Sequence, residues 1–240
     1  MTFFRRANRR FAAIFTLLLL TAMSLHAQGF GGLLGNITFS ARFNLLFFPE
    51  KNENLSAPMP ILPSLGGGAS IPLSDLLAFE LSLDLYGNTY DYEYSLQRAV
   101  PANDEFRSAF VIGSVLGFQP VLRFNPGEKI TIRAFGGIGF DLRFIFRAYG
   151  IDDSEEHTNN LGYTGHTVGE ARKDISSYFW GKGRFIYPFV GAGMDFSVTE
   201  GIDIGFDMRL WFPVWRLWSG ESLPFAEGFR FAPGIRVTFR

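Results

Sequence analysis

The chain has 240 residues, 17% of them aromatic with 28 Phe, 27 Gly, only 19% charged, and no cysteine. Without cysteine there are no disulfides, no thiolate catalysis, no cysteine metal centre and no cysteine-borne lipid anchor. The formal net charge of −1 becomes −5 once the four leading arginines (Arg5, Arg6, Arg9, Arg10) are set aside, which speaks against nucleic acid as a partner.

Those arginines lead into the apolar run Phe11–Leu25, and Leu25-His26-Ala27 precedes Gln28. This is the order of a secretory signal: basic segment, short apolar segment, small-residue cleavage site. Residues 1–27 are expected to be a cleaved signal peptide, 28–35 a flexible glycine-rich lead-in, and 36–240 one domain. Mean hydropathy is +0.12, yet beyond residue 25 no run approaches the ~20 apolar residues of a spanning helix. Hydrophobic composition without a hydrophobic run is what alternating strands produce.

Eight segments with period-two alternation follow. Ile37–Phe48 sets Phe39, Phe43, Leu45 and Phe47 against Ser40, Arg42 and Asn44. Ile61–Leu73 is weaker, being rich in Gly and Pro. Ala78–Tyr90 opposes Phe79, Leu81, Leu83 and Leu85 to Glu80, Ser82 and Asp84. Phe106–Phe124 comes next, and then Ile130–Tyr149, where every even residue from Ile130 to Phe146 is apolar or glycine. Its odd positions include Arg133, Asp141 and Arg143. Arg184–Val198, Ile202–Val214 and Phe229–Phe239 complete the set.

The connections alternate in length. Tight turns are expected at Ser74-Asp75, Asn125-Pro126-Gly127-Glu128 and Thr199-Glu200-Gly201. The other connections are longer and polar, the longest about Gly150–Tyr178. Short turns at one end and long loops at the other predict an all-β fold: an eight-stranded antiparallel up-and-down transmembrane β-barrel with both termini in the periplasm. An internal repeat supports the register, since Pro63–Gly87 overlies Pro188–Phe212 at an offset of 125. Pro63, Pro120, Pro188 and Pro233 recur in the descending strands, where a missing N–H predicts bulges or local breaks.

Alternation alone does not say which face is outward, and a lipocalin-like soluble barrel turns its oily face inward. Three features favour outward. Nineteen residues at ~3.3 Å, tilted ~45°, rise about 44 Å, beyond a ~25 Å apolar band. The polar parity is rich in glycine (Gly137, Gly139, Gly191, Gly193, Gly205), useful in a cramped lumen. The chain also ends Pro233, Ile235, Val237, Phe239 on one parity. That ending resembles the C-terminal signal read by barrel-assembly machinery, with Phe239 as its aromatic and Arg240 added after it.

The stretch PFVGAGMDFSVTEGIDIGFDMRL from Pro188 to Leu210, within the layout of 36–240, resembles small eight-stranded outer-membrane proteins of the OmpA transmembrane, OmpX and OmpW type. The resemblance implies the fold and the outer membrane of a diderm bacterium, with outer-membrane lipid and barrel-assembly machinery as partners and a monomeric state. It transfers no activity. The hydrophobic channel associated with OmpW-type barrels does not suit a charged lumen.

On this register the inward face carries Arg42, Arg107, Arg123, Arg133, Arg143, Arg147, Arg209, Arg230 and Arg236 against Glu80, Asp84, Asp141, Asp195, Asp203 and Asp207. Guanidinium forks pair with carboxylates in two-point contacts, and an eight-stranded barrel is only wide enough for side chains to fill. Two readings stand: a plugged ionic core, or a narrow anion-favouring path for small solutes. The longest loop, with Asp152, Asp153, Glu155, Glu156, His157 and His166, reads as a solvated acidic loop rather than a cation site. No catalytic, cofactor or metal residues are expected: both histidines fall in a floppy polar loop, so the chain is not read as an enzyme. Tyr86, Tyr90, Tyr92, Tyr94, Tyr149, Trp180, Trp211, Trp215 and Trp218 are expected to form an interfacial belt. The main functional expectation is a structural or porin-like barrel. The alternative is an adhesin or host-ligand binder acting through its loops.

Overall fold

Period-two alternation becomes eight antiparallel strands that close on themselves in the computed structural model, which describes residues 37–49, 61–102, 108–148, 152–159, 162–220 and 227–240. The expected signal peptide and lead-in lie outside those residues. The barrel strands are β1 (Thr38–Phe47), β2 (Ile61–Pro72), β3 (Leu77–Glu93), β5 (Ala109–Gly127), β6 (Ile130–Ala148), β9 (Ile186–Thr199), β10 (Ile202–Trp211) and β11 (Arg230–Phe239). Each pairs with its neighbour in the chain, and β11 returns to β1, with Phe39 opposite Phe239 and Phe43 opposite Ile235. β3 runs past the barrel to form a hairpin with β4 (Arg98–Pro101).

The first and third tight turns fall where turn chemistry placed them, whereas the second shifts to Glu128-Lys129, because residues 125–127 stay in β5. At the first, the Leu77 amide donates to Ser74 Oγ at 3.1 Å. Through the middle of the wall (β3 as far as Gly87, β5 from Ile112 to Phe124, β6 from Ile130 to Phe144, and the facing parts of the other strands), the outward positions hold apolar side chains and glycine, with Ser114 the one polar residue and no charge. A charge at mid-depth on such a face costs about 2–4 kcal/mol in a bilayer. This exterior suits hydrocarbon and leaves the soluble, inward-turned barrel without support.

The prolines face outward and bring no bulge. Where pairing continues past them the register is unchanged, and the ladder lapses between β5 and β6 at Pro120 and between β1 and β11 at Pro233, and stops short of Pro63 between β2 and β3. The bulges lie elsewhere, at Phe110/Val111, Phe124/Gly127 and Ile202/Asp203.

The long connection after β6 is not the floppy polar loop expected. A two-residue hairpin, β7 (Glu156–His157) with β8 (His166–Thr167), leads into helix α1 (Val168–Trp180). Thr167 and Glu170 close a capping box: the Glu170 amide donates to Thr167 Oγ1 at 3.2 Å, and the Thr167 amide donates to Glu170 Oε2 at 2.8 Å. Accepting that N–H holds the Glu170 carboxyl below its usual range. Val168, Ala171, Ile175 and Phe179 form the buried face, and Ile175 and Phe179 pack against Tyr90, Ala99, Ala109 and Val111 across the barrel mouth. A 3-10 turn (Gly181–Gly183) joins α1 to β9, and a one-turn helix α2 (Arg216–Ser219) follows β10.

Candidate functional site

Among the described residues the barrel interior holds the largest convergence of buried charge, and it is layered. Toward the turn end lies an ionic lattice of Arg42, Arg133, Arg209 and Arg236 with Glu80, Asp84, Asp195 and Asp207. Arg42 Nη1 and Gln119 Nε2 donate to Glu80 Oε1 at 3.1 and 2.8 Å, and Arg236 Nη1 donates to Glu80 Oε2 at 2.7 Å. Asp84 accepts from Arg209 Nη1 at 3.2 Å and Asn44 Nδ2 at 3.0 Å. Arg133 forks onto Asp195 through Nε and Nη2, the latter also reaching Asp207. These are charge-assisted two-point contacts, the strongest kind available to a guanidinium.

Glycine makes the lattice possible. Asp84 lies directly opposite Gly66 in the neighbouring strand, Asp195 opposite Gly205, and Asp207 opposite Gly193. A Cβ built on any of the three would collide with the facing carboxylate. Each carboxylate therefore leans over its neighbour's bare backbone to reach an arginine. The sequence repeat is built into this layer too. Asp84 and Arg209 are equivalent positions at the offset of 125, and they pair across the lumen.

Above the lattice sits an apolar layer of Leu46, Val115, Phe135, Phe189 and Trp211, with Arg209 5.3 Å from the Phe135 ring centroid. A second ionic group follows toward the loop end. Asp141 accepts from Tyr86 Oη at 2.7 Å and from Arg143 Nε, and its Oδ2 forms an ion pair with Arg230 Nη2 at 2.7 Å. Arg230 lies 3.9 Å from the Tyr187 ring centroid and Arg143 lies 4.5 Å from that of Phe179, so aromatic faces take up charge that one carboxylate does not match. Phe179, carried by α1, also meets Tyr90 edge-on at 4.9 Å and covers this layer.

The remaining predicted lumen residues lie at the margins. Half-buried Arg123 donates to Ser70 Oγ at 2.7 Å. Asp203 accepts from Arg240 Nε at 2.7 Å, and the Arg240 amide bonds to the Gly201 carbonyl at 2.9 Å, so the residue after the terminal aromatic is tied to a turn. Phe239 closes β11 opposite Ile202 and Phe39. Arg107 lies outside the described residues. Arg147 belongs to β6, with its side chain outside them.

Two expectations are corrected here. Tyr86, Tyr90, Trp211 and Trp215 form no interfacial belt but are buried inside; their parity, not their residue type, decides their side. Tyr149 lies outside the described residues. The acidic loop is structured as well. His157 is buried with Nε2 2.8 Å from Asp91 Oδ1, His166 stacks on Tyr94, and Asp153 pairs with Arg172 at 2.8 Å. No group of three or more potential metal ligands occurs among the described residues.

Sequence reasoning missed Gln119, Tyr86, Phe135, Tyr187 and Phe179 as parts of the interior. The first four carry the inward parity of their strands, so register alone would have found them.

No protein-family profile matches this chain, and no curated protein is significantly similar to it. Several solved structures are similar in layout. Neisserial surface protein A is 12% identical, covers 85% of this chain and 96% of its own, and has a TM-score of 0.49. The N-terminal β-barrel domain of Pseudomonas aeruginosa OprF is 14% identical over 85% and 95%, TM-score 0.43. The outer membrane protein OprG of the same organism is 8% identical over 85% and 92%, TM-score 0.43. The assignment to closed eight-stranded barrels rests on this chain's own strand pairing.

Proposed function

We propose that this protein is an integral barrel of a bacterial outer membrane whose lumen is closed to solutes. Its role is that of a structural barrel carrying a folded cap on the cell surface. The observation that carries this reading is the interior itself: Arg42, Glu80, Asp84 and Arg209 have side chains 0–3% exposed and ion-paired with each other. An ion crossing the barrel would have to displace paired charges, an aromatic layer and then Phe179. Of the nine arginines that suggested an anion path, six are ion-paired among the described residues. Lattice arginines and carboxylates are equal in number, and Arg143 and Arg230, which share Asp141, lie against aromatic rings.

A second reading, ligand recognition by the cap, is favoured by the order of that cap, because a pre-organised surface loses less entropy on binding. Neither reading gives the enclosed His157 ring a catalytic role. The barrel reading predicts that vesicles carrying the refolded protein swell no faster in small sugars, amino acids or anions than empty vesicles. Faster swelling in any of these would replace it with a porin function. Deleting residues 152–167 from the folded barrel tests the second reading, which requires surface binding to disappear with them.

A further inference from the structure

One corner of the loop end is apolar, and it continues the outer wall. Phe144 and Phe146 stand exposed on the outer face of β6. Trp180, the last residue of α1, lies 5.5 Å from the Phe144 ring and 5.8 Å from that of Phe185. On the far side of the 3-10 turn, Trp218 Nε1 donates to the Lys182 carbonyl at 2.7 Å. Beside it, Leu217 is 85% exposed and Trp218 55%. Three separate stretches of chain thus form one apolar strip running off the strand wall.

Its charge is one-sided. Residues 180–186 and 212–220 contain Lys182, Arg184 and Arg216 and no acidic residue. The cations are held at the strip: Lys182 Nζ donates to the Ser219 carbonyl at 3.1 Å, Arg184 lies 4.0 Å from the Tyr178 ring centroid, and Arg216 Nη1 donates to the Glu227 carbonyl at 3.1 Å.

We propose that this corner docks on the bilayer: the end of α1, the 3-10 turn and α2 lie at the boundary between acyl chains and phosphate headgroups of the loop-end leaflet. Trp and Phe with adjacent Lys and Arg are the side chains that settle at that boundary, rings toward the hydrocarbon and cations toward phosphate. Continuity with Phe144 and Phe146 commits the surface to lipid, because whatever covers the wall covers the corner. The inference rests on the reading of the barrel as membrane-spanning. It adds that the cap is anchored sideways above β6, β9 and β10, giving the molecule a lopsided lipid footprint.

Tryptophan fluorescence of the full chain tests it, refolded into phosphatidylcholine and phosphatidylglycerol vesicles brominated either near the headgroup or deep in the acyl chain. Trp211 and Trp215, both buried in the interior, give a background that bromine does not reach. Near-headgroup bromine is expected to quench the wild type, and W180F/W218F is expected to lose that quenching. A third protein, W180F/W218F carrying Phe206→Trp on the mid-wall, reports on the wall itself through deep bromine. If that wall probe is quenched but the wild type gains nothing over W180F/W218F, the corner does not meet lipid and the inference falls alone. Quenching by aqueous acrylamide would then show a wet corner, and shielding from both quenchers would show a second copy or another protein. If the wall probe itself is unquenched, the spanning reading falls and takes the inference with it.

Discussion

The lumen buries guanidinium groups in two different ways. Toward the turn end, four arginines meet four carboxylates, and glycine on the adjacent strand clears the space that Asp84, Asp195 and Asp207 need. Toward the loop end, Arg143 and Arg230 share Asp141 and lie against Phe179 and Tyr187. The first arrangement demands matched charge at every position. The second tolerates a mismatch because an aromatic face attracts a cation without needing a formal charge. The lattice is therefore brittle to loss of one acid, while the upper layer spreads its dependence over rings.

Substitution tests that contrast. Glu80→Gln leaves Arg42 and Arg236 buried without their shared carboxylate, and breaking a buried ion pair costs about 3–5 kcal/mol. Urea unfolding of the refolded protein in vesicles is expected to show that loss. Asp141→Asn is expected to cost less in the same assay, because both of its arginines keep their aromatic contacts. Equal losses would mean that the rings contribute nothing and would dissolve the comparison. Tyr187→Leu removes the ring beneath Arg230 and the acceptor of Trp215 Nε1. About 2 kcal/mol is expected for a desolvated cation–π contact.

The smallest effect concerns the cap that covers the upper layer. The Glu170 carboxyl titrates below its unfolded value because Thr167 donates to it. A group lowered in this way contributes stability above its unfolded pKa and loses it as pH falls through the folded one. Hydrogen exchange at the first turn of α1 is expected to quicken as pH drops below the ordinary glutamate range, and Glu170→Gln should remove that dependence.

The two regions also differed in how far the sequence disclosed them. The ionic lattice was legible because a charge every second residue in an oily segment has one place to go, and Arg133, Asp207 and Arg209 stand at those places. The aromatic layer was hidden by the same rule. Phe135, Phe189 and Trp211 have inward parity but oily character, so polarity cannot separate them from lipid-facing rings. The cap was legible only in part. Thr167 and Glu170 carry the capping-box spacing, and Val168, Ala171, Ile175 and Phe179 mark one helical face. A polar, acidic approach from Asp152 to His157 masked both signals. The burial of His157 on Asp91 depends on β3 continuing beyond the barrel, a tertiary fact with no local mark.

Single-channel recording on the refolded protein in planar bilayers, at high salt and with its barrel state verified by heat-dependent gel mobility, tests the closed lumen most directly. A lattice of buried ion pairs under an aromatic layer predicts a silent bilayer at every voltage the membrane survives. Reproducible conductance steps, above all steps selective for anions, would contradict it.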